Sequence, residues 1–118
     1  MTDEWTREKI LKLGSAFWGN KILLTAAELN IFSKLGKDGM TVDDLCRSEG
    51  WYPRGVTILL DALAAMGFIR KSADGFYKTP EPVLELLGDS GQNSVLPMLL
   101  HMAHLWGNWT NLPDIVRG

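Results

Sequence analysis

The sequence has 118 residues, a hydrophobic content of 46% and a charged content of 22%, values that are ordinary for one globular domain and exclude wholesale disorder. Its formal net charge of -2 provides no positive field that would attract nucleic acid or an anionic membrane surface. The single cysteine, Cys46, excludes an intrachain disulfide and fits a reducing cytoplasm, and a small buried thiol is its expected role.

Helical patterns dominate the first 30 residues. Thr2 or Asp3 is expected to cap a first helix that runs to about Leu13, and Gly14-Ser15 is expected to break it. A second helix is predicted from Ala16 to about Asn30, with apolar residues on nearly every face. Because a helix that is apolar all round must be covered from more than one side, a second subunit is the expected cover in so small a domain.

The middle of the chain predicts short helical segments followed by a hairpin. A short apolar turn covers 31–35, Thr41 is placed to cap a helix over Val42–Ser48, and a longer helix is predicted over Pro53–Gly67. Asp74-Gly75 lies between two short β-prone runs and predicts a hairpin, because glycine accepts a positive φ. Helix, turn, helix and hairpin, in this order, are typical of a winged helix.

The last third of the chain predicts two more helical regions. Thr79-Pro80 is expected to cap a helix that ends at Leu87. A final helical region is predicted from about Ser94 to about Val116, with a kink at Gly107 or at Pro113.

The sequence carries more apolar surface than one small domain can bury. Residues 90–113 include no Asp, Glu, Lys or Arg, and the chain has five tryptophans. The expected fold is mainly α, a winged-helix-like helical domain with one small β-hairpin that forms an interlocked homodimer. Residues 1–14 are expected to form an N-terminal arm, residues 15–88 the winged-helix core and residues 89–118 a C-terminal helical region.

Neither the N-terminus nor the longest apolar stretch indicates targeting to a membrane. Met1–Glu4 is acidic where a secretory signal is basic. The stretch Val95–Trp106 is interrupted by proline and histidine, and it is shorter than the roughly 20 residues that span a bilayer. A soluble, cytoplasmic protein without membrane contact is expected.

The motifs of a complete active site do not occur in the sequence. No two of the twelve glycines are separated by a single residue, so the G-x-G of nucleotide-type cofactor loops is missing. His101 and His104 stand three residues apart on a predicted helix, which places them on one face. The pair could bind a metal or act as an acid–base group. A metal would need a third or fourth ligand, and the helix around the pair offers no Cys or carboxylate, so two polar groups at a helix interface are favoured. No catalytic, cofactor-binding or metal-binding residue is assigned.

The winged-helix order raises the alternative of a DNA-binding transcriptional regulator, since the second helix of such a fold often enters the major groove. Outside its core stripe, the predicted helix offers Arg54 and Thr57, and then Ile58 and Asp61. A DNA reader needs several Lys, Arg, Asn or Gln side chains there, so this surface argues against nucleic acid. A stand-alone domain that binds an apolar ligand between its helices is a third hypothesis.

Five segments carry a family resemblance, namely Ala26–Phe32, Thr41–Leu45, Leu59–Ile69, Gly75–Pro80 and Trp109–Gly118. In this order they resemble the N-terminal dimerisation domain of plant- and bacterial-type O-methyltransferases, the group of the caffeate, acetylserotonin and hydroxyneurosporene enzymes. The similarity spans about residues 15–118, and the order of the segments is more specific than any one of them.

The resemblance implies a homodimerisation domain that is not catalytic alone. In this family the catalytic domain, with its S-adenosylmethionine and its catalytic histidine, begins shortly after the residues that match Arg117-Gly118, so neither is expected here. The methyl acceptor is expected to be a hydroxyl of an aromatic or polyketide-like small molecule. The early helices of the family interlock with the partner subunit, and the last helix lines the acceptor pocket. By position, the partner-facing candidates are Phe17, Trp18, Asn20, Ile22 and Leu23, and the acceptor-pocket or domain-interface candidates are Leu100, His101, His104 and Trp106.

Overall fold

A computed structural model describes residues 4–118, and within them the chain forms seven α-helices and one two-stranded antiparallel sheet. The caps expected at Thr2 and Asp3 lie outside the described residues. The first helix begins after Thr6, whose hydroxyl oxygen accepts a hydrogen bond from the Lys9 N–H at 3.2 Å. In chain order the elements are α1 (Arg7–Glu28), α2 (Ile31–Leu35), α3 (Val42–Glu49), α4 (Pro53–Ala65), β1 (Arg70–Lys71), β2 (Tyr77–Lys78), α5 (Glu81–Leu87), α6 (Leu96–Thr110) and α7 (Leu112–Arg117).

The first helix is continuous, so the predicted break at Gly14-Ser15 is wrong. The hydroxyl of Ser15 donates a hydrogen bond to the carbonyl oxygen of Leu11 at 2.9 Å, a bond that serine makes within a helix. A glycine inside a helix costs only about 1 kcal/mol, a cost that a helix already formed over its packed C-terminal half can absorb as it propagates through Gly14. The helix ends where expected, because Asn30 has a φ of 53°, a left-handed conformation that stops a helix.

Local hydrogen bonds account for the central helices and the hairpin. Thr41 caps α3 as predicted, since its hydroxyl oxygen accepts a hydrogen bond from the Asp44 N–H at 3.1 Å. In the hairpin the strands pair antiparallel, with Lys71 opposite Tyr77. Met40 and Tyr77 also exchange two backbone hydrogen bonds of 3.0 and 2.8 Å, which attach the segment before α3 to the hairpin. The predicted order of helix, turn, helix and hairpin is confirmed.

The hydrophobic core lies where the hairpin and the helices α2, α3 and α4 meet the C-terminal half of α1. Phe32 of α2 is 1% exposed, and its ring packs edge-on against that of Phe68 with centroids 5.9 Å apart. Burying an apolar side chain of this size stabilises the fold by roughly 2 kcal/mol. Further core side chains with almost no exposure are Ala26, Ile31, Leu45, Leu60 and Leu63.

Thr79 does not cap α5, contrary to the prediction. Its side chain is fully buried, and its hydroxyl donates a hydrogen bond to the carbonyl oxygen of Phe32 at 2.9 Å. Pro80 occupies the position before α5 and makes no side-chain capping bond. A hydroxyl buried in the core requires a partner, and here a carbonyl 47 residues earlier in the chain supplies it.

The C-terminal region forms two helices. The first of them, α6, runs without interruption through Gly107, and the chain breaks at Asn111, two residues before Pro113. Of the two predicted kink positions, the one at Pro113 is therefore confirmed. Pro113 lies in the first turn of α7, where its missing N–H costs no hydrogen bond.

The molecule is extended for its length and leaves much apolar surface uncovered. Its radius of gyration is 16.8 Å, whereas a compact chain of this length has about 13.5 Å. Large hydrophobic side chains are exposed mainly on α1, α6 and α7. In the part of the chain that the structure describes, no helix is long and apolar enough to cross a membrane. The surplus of apolar surface predicted from the sequence is thus confirmed for a single chain.

Candidate functional site

Two open grooves run along α1, which forms one wall of each. The α1–α6 groove has a volume of about 620 Å³, and the α1–α4 groove has a volume of about 420 Å³. This double role accounts for the apolar side chains that residues 16–28 of α1 carry on nearly every face. Residues that line the α1–α6 groove include Asn20, Leu23, Met102, Trp106, Trp109 and Thr110. Residues that line the α1–α4 groove include Phe17, Trp18, Ile22, Gly55, Ile58 and Ala62.

The α1–α6 groove is mostly apolar, with leucine, methionine and tryptophan side chains on both walls. Asn20 and Thr110 supply polar groups to its lining. The ammonium of Lys21 lies 5.1 Å from the centroid of the Trp106 ring, a cation–π contact that ties α1 to α6 beside the groove. A groove of this size and lining suits a flat, apolar ligand.

The α1–α4 groove exposes large apolar side chains to solvent. Trp18 and Ile58 are 65% and 63% exposed, and the rings of Phe17 and Trp18 pack at a tilt of 60° with centroids 5.4 Å apart. Gly55 and Ala62, on the α4 wall, are small, so another helix can approach the α4 backbone closely. Contiguous exposed apolar surface of this kind marks an interaction site.

The N-terminal end of α1 extends beyond the grooves. Residues 7–14, which we term the α1 overhang, are all exposed. Ile10, Leu11 and Leu13 on this overhang are 57%, 64% and 67% exposed. A helix of this length spans about 12 Å, so roughly two turns of helix, with three large apolar side chains and four charged ones, are exposed to solvent.

The structure divides the predicted partner-facing residues between the two grooves. Phe17, Trp18 and Ile22 line the α1–α4 groove. Asn20 and Leu23 line the α1–α6 groove instead. The sequence placed all five residues on one helix but did not indicate which neighbouring helix each of them faces.

The predicted acceptor-pocket or domain-interface residues also separate. Trp106 lines the α1–α6 groove. By helical spacing, Leu100, His101 and His104 lie on the opposite face of α6, and all three are exposed. Sequence reasoning assigned no role to Ile58 of the α1–α4 groove, although its apolar side chain outside the core stripe of α4 was the available signal.

A polar cluster occupies the junction of α4 and the hairpin. The carboxylate of Asp61 accepts hydrogen bonds from the Tyr77 hydroxyl at 2.5 Å and from the Lys71 ammonium at 3.2 Å. The bond from Tyr77, assisted by Lys71, lowers the pKa of Asp61, and desolvation by burial raises the pKa of Tyr77. Asp61 on α4 therefore forms an ion pair with Lys71 of the hairpin. This pairing weakens the positive charge that DNA binding requires.

The described residues do not fit an S-adenosylmethionine site. Such sites in doubly wound folds need a parallel strand followed by a glycine-rich turn and a helix, whereas β1 and β2 are two-residue antiparallel strands. Within residues 4–118, no group of three His, Cys, Asp or Glu side chains is placed to hold a metal ion. What this part of the chain presents is exposed apolar surface.

Residues 11–82 match a family model described as the O-methyltransferase dimerisation domain. The match begins within the α1 overhang and ends at the start of α5, so it includes both walls of the α1–α4 groove and the whole hairpin. The family resemblance predicted from the sequence is confirmed.

Methyltransferases are also found among individual proteins similar to this chain. The Tetracenomycin polyketide synthesis 8-O-methyl transferase TcmO of Streptomyces glaucescens is 36% identical over 69 residues, which are 58% of this chain and 20% of that protein. Acetylserotonin O-methyltransferase of Rattus norvegicus is 28% identical over 109 residues, which are 92% of this chain and 25% of that protein. None of the similarities described here favours a DNA-binding regulator.

A solved structure confirms the fold. The crystal structure of human N-acetylserotonin methyltransferase in complex with SAM matches 99% of this chain and 36% of its own chain, with a TM-score of 0.75 and 23% identity. This chain thus spans between 20% and 36% of the length of the three methyltransferases compared.

Proposed function

The chain belongs to the O-methyltransferase dimerisation domain family, and from this premise we propose that it joins two subunits of an S-adenosylmethionine-dependent O-methyltransferase and shapes the pocket for the methyl acceptor. S-adenosylmethionine, bound to a separate doubly wound domain, supplies the methyl group. The names of the two relatives give a polyketide and acetylserotonin as acceptors. We extend that class, a hydroxyl on a small aromatic or polyketide-like molecule, to this chain.

The family match over residues 11–82 carries the proposal. It covers the part of the chain in which Phe17, Trp18 and Ile58 remain in contact with solvent. Removing apolar surface from water contributes about 25 cal/mol per Å², so covering these side chains favours association. Soluble proteins that form oligomers most commonly pair two copies through the same surface patch on each copy.

A catalytic domain is proposed to pack on α6 and α7. Leu100, His101 and His104 are exposed together on α6, and Ile115 and Val116 of α7 are 66% and 77% exposed. The uncharged stretch from residue 90 to residue 113 covers all of α6 and the first two residues of α7, and in the rest of α7 Asp114 and Arg117 form an ion pair. Uncharged surface is cheaper to desolvate than charged surface, so it suits a contact with another domain. In this proposal the histidine pair makes domain contacts.

The acceptor is proposed to bind against the α1–α6 groove. Its volume of about 620 Å³ lies in the range of roughly 300–1,000 Å³ that small-molecule sites occupy. Asn20 offers an amide for a hydrogen bond, and Trp106 offers a flat ring on which an aromatic acceptor stacks. The chain then binds and orients the acceptor and excludes water, while the cofactor is held elsewhere.

Light scattering coupled to size-exclusion chromatography tests the pairing. At tens of micromolar we expect twice the mass of one chain, and a strict monomer contradicts the dimer. Calorimetric titration with S-adenosylmethionine tests the division of roles, because the proposal predicts no binding and micromolar affinity contradicts it. The coding sequence beyond residue 118 and the neighbouring genes test the catalytic link. A complete lack of a methyltransferase domain in both places contradicts it.

A further inference from the structure

We propose that Lys21 is a positioning residue that acts through the Trp106 ring, so that the α1–α6 groove prefers neutral, electron-rich aromatic acceptors such as phenols and naphthols. The inference rests on the proposed function, which places the acceptor in this groove but does not specify its charge or its electron density. Lys21 does not itself line the groove, so its effect on the acceptor passes through the indole.

The walls of the α1–α6 groove favour a neutral acceptor. In the described part of the chain, the lining consists of leucine, methionine, tryptophan, asparagine and threonine, none of which is ionisable. A carboxylate or a phosphate would lose water against these walls without gaining an ion pair, which is costly. Asn20 instead offers an amide that both donates and accepts hydrogen bonds, and this suits a protonated hydroxyl.

Two indole rings form the aromatic part of the α6 wall. Trp106 and Trp109 stand three residues apart on α6, a spacing that places both side chains on one face of the helix. Both line the groove; Trp106 is partly buried, and Trp109 is 67% exposed. A flat aromatic acceptor in the groove therefore stacks on an indole.

A cation contacts one of these indoles from outside the groove. The Lys21 ammonium lies 5.1 Å from the centroid of the Trp106 ring, and Lys21 lines the α1–α4 groove rather than the α1–α6 groove. Lys34 and Lys71 also lie over aromatic rings, but each of them pairs with a carboxylate as well. Among the residues that the structure describes, Lys21 forms no such ion pair. Its charge therefore acts on Trp106 without a paired carboxylate.

This cation makes the Trp106 ring a better partner for an electron-rich acceptor. The face of an indole is negative, and a cation held against it draws electron density toward itself. A ring that has lost electron density stacks best on a ring that has more of it. A hydroxyl donates electron density to the aromatic ring that carries it, and that hydroxyl is also the group to be methylated. The preference of the groove thus agrees with the proposed reaction.

Two ligands that differ mainly in electron density test the inference. 2-Naphthol and 6-cyano-2-naphthol share their rings and their hydroxyl, but the cyano group withdraws electron density. Two-dimensional NMR of the indole N–H groups, recorded during titration at pH 7, gives both dissociation constants and shows whether Trp106 and Trp109 respond. We expect 2-naphthol to bind the unaltered chain about fivefold more tightly than the cyano compound. The anion 2-naphthoate should bind at least about tenfold more weakly than 2-naphthol.

Substitutions at Lys21 separate polarisation of the ring from a structural role. Lys21→Met removes the charge but keeps a long unbranched side chain, and it should reduce the preference for 2-naphthol by about threefold, the size of an exposed cation–π contact. Lys21→Arg keeps a cation and should restore the preference. Lys12→Met is the matched control on α1 and should leave each dissociation constant within about 1.5-fold. Both lysines are exposed, so the variants are expected to fold, which circular dichroism checks.

The ratio of the two affinities is the decisive measurement, because a general change in the shape of the groove weakens both naphthols together. An unchanged ratio in Lys21→Met overturns the inference, as does a ratio that Lys21→Arg fails to restore. Tighter binding of 2-naphthoate than of 2-naphthol also overturns it. In these cases the unaltered chain still binds an aromatic ligand and the proposed function stands. If neither naphthol moves the signals of Trp106 and Trp109, the acceptor site of the proposed function is contradicted as well.

Discussion

The hydroxyl of Tyr77 donates a hydrogen bond to the carboxylate of Asp61 at 2.5 Å. Tyr77 is 2% exposed on β2, whereas Asp61 lies on the exposed side of α4. Because the backbone of Tyr77 also bonds that of Met40, one residue connects the hairpin to α4 and to the segment before α3. The position of the hairpin on the helices therefore depends on a few polar contacts as well as on the core.

Asp61→Asn should lower the melting temperature at pH 7. The Tyr77 hydrogen bond, with help from Lys71, lowers the pKa of Asp61 from its usual 3.8. A group whose pKa is lowered by folding stabilises the fold fully above its unfolded-state pKa and loses that contribution as the pH falls through the folded value. The difference in melting temperature between the wild type and Asp61→Asn should therefore shrink below about pH 3.8. Thermal unfolding at several pH values measures this difference. Asp38→Asn, in an exposed loop, is the control. An equal fall in melting temperature for both variants would contradict a stabilising role of the hydrogen bond between Tyr77 and Asp61.

Gly39→Ala should destabilise the fold more than Gly50→Ala. Both glycines have a positive φ, 86° and 74°, so either substitution costs about 1 kcal/mol of backbone strain. A Cβ at Gly39 would also lie 2.9 Å from the carbonyl oxygen of Tyr77, whereas one at Gly50 meets open space. Because of this overpacking, we expect Gly39→Ala to lower the free energy of unfolding by at least about 1 kcal/mol more than Gly50→Ala does. Urea unfolding compares the two variants, and equal free energies of unfolding would refute the close approach.

Thr79→Val should cost about 1 kcal/mol of unfolding free energy, because it keeps the volume of the buried side chain but removes its hydrogen bond to Phe32. The carbonyl of Phe32 still accepts a bond from the Gly36 N–H at 3.1 Å, which limits the loss. Thr57→Val is the matched control, since the Thr57 hydroxyl bonds Pro53 within its own helix. We expect that control to stay within about 0.5 kcal/mol. Denaturant titration of both variants measures the difference, and a neutral Thr79→Val would mean that the buried bond contributes nothing.

Two substitutions on α4 should separate folding from pairing. Leu60 is fully buried, so Leu60→Ala should destabilise the single chain by about 2–5 kcal/mol. Ile58 is 63% exposed, so Ile58→Ala should leave the unfolding of dilute chain almost unchanged while weakening the dimer. Thermal melts at low concentration and sedimentation at high concentration measure the two effects. An Ile58→Ala variant that unfolds as easily as Leu60→Ala would show that this side chain belongs to the core.

Local chemistry explains which parts of the fold could be predicted. The Thr41 cap and the turn at Gly75 depend on residues within a few positions, so the sequence was sufficient to place them. The continuity of α1 through Gly14 reflects propagation of a helix whose packed half begins further along the chain, and the role of Thr79 depends on a carbonyl 47 residues away. Neither of these relationships leaves a pattern in neighbouring residues.

The candidate site was predicted in composition but not in arrangement. The apolar residues of α1 were recognised, and so was the uncharged region around Trp106. The division of Phe17 and Trp18 from Asn20 and Leu23 follows from which helices pack on either side of α1. That division is a tertiary relationship, and a helix that is apolar on all faces does not reveal it.

A single helix of 22 residues borders both grooves, so a shift of α1 caused by occupancy of one groove would reach the other. If subunit pairing shifts or stiffens α1, the affinity for a ligand between α1 and α6 changes by some factor, and the ligand must change the pairing constant by the same factor. Titrating the acceptor while measuring dimer dissociation would give that factor directly. Under the proposed function, subunit pairing would then respond to the methyl acceptor through α1.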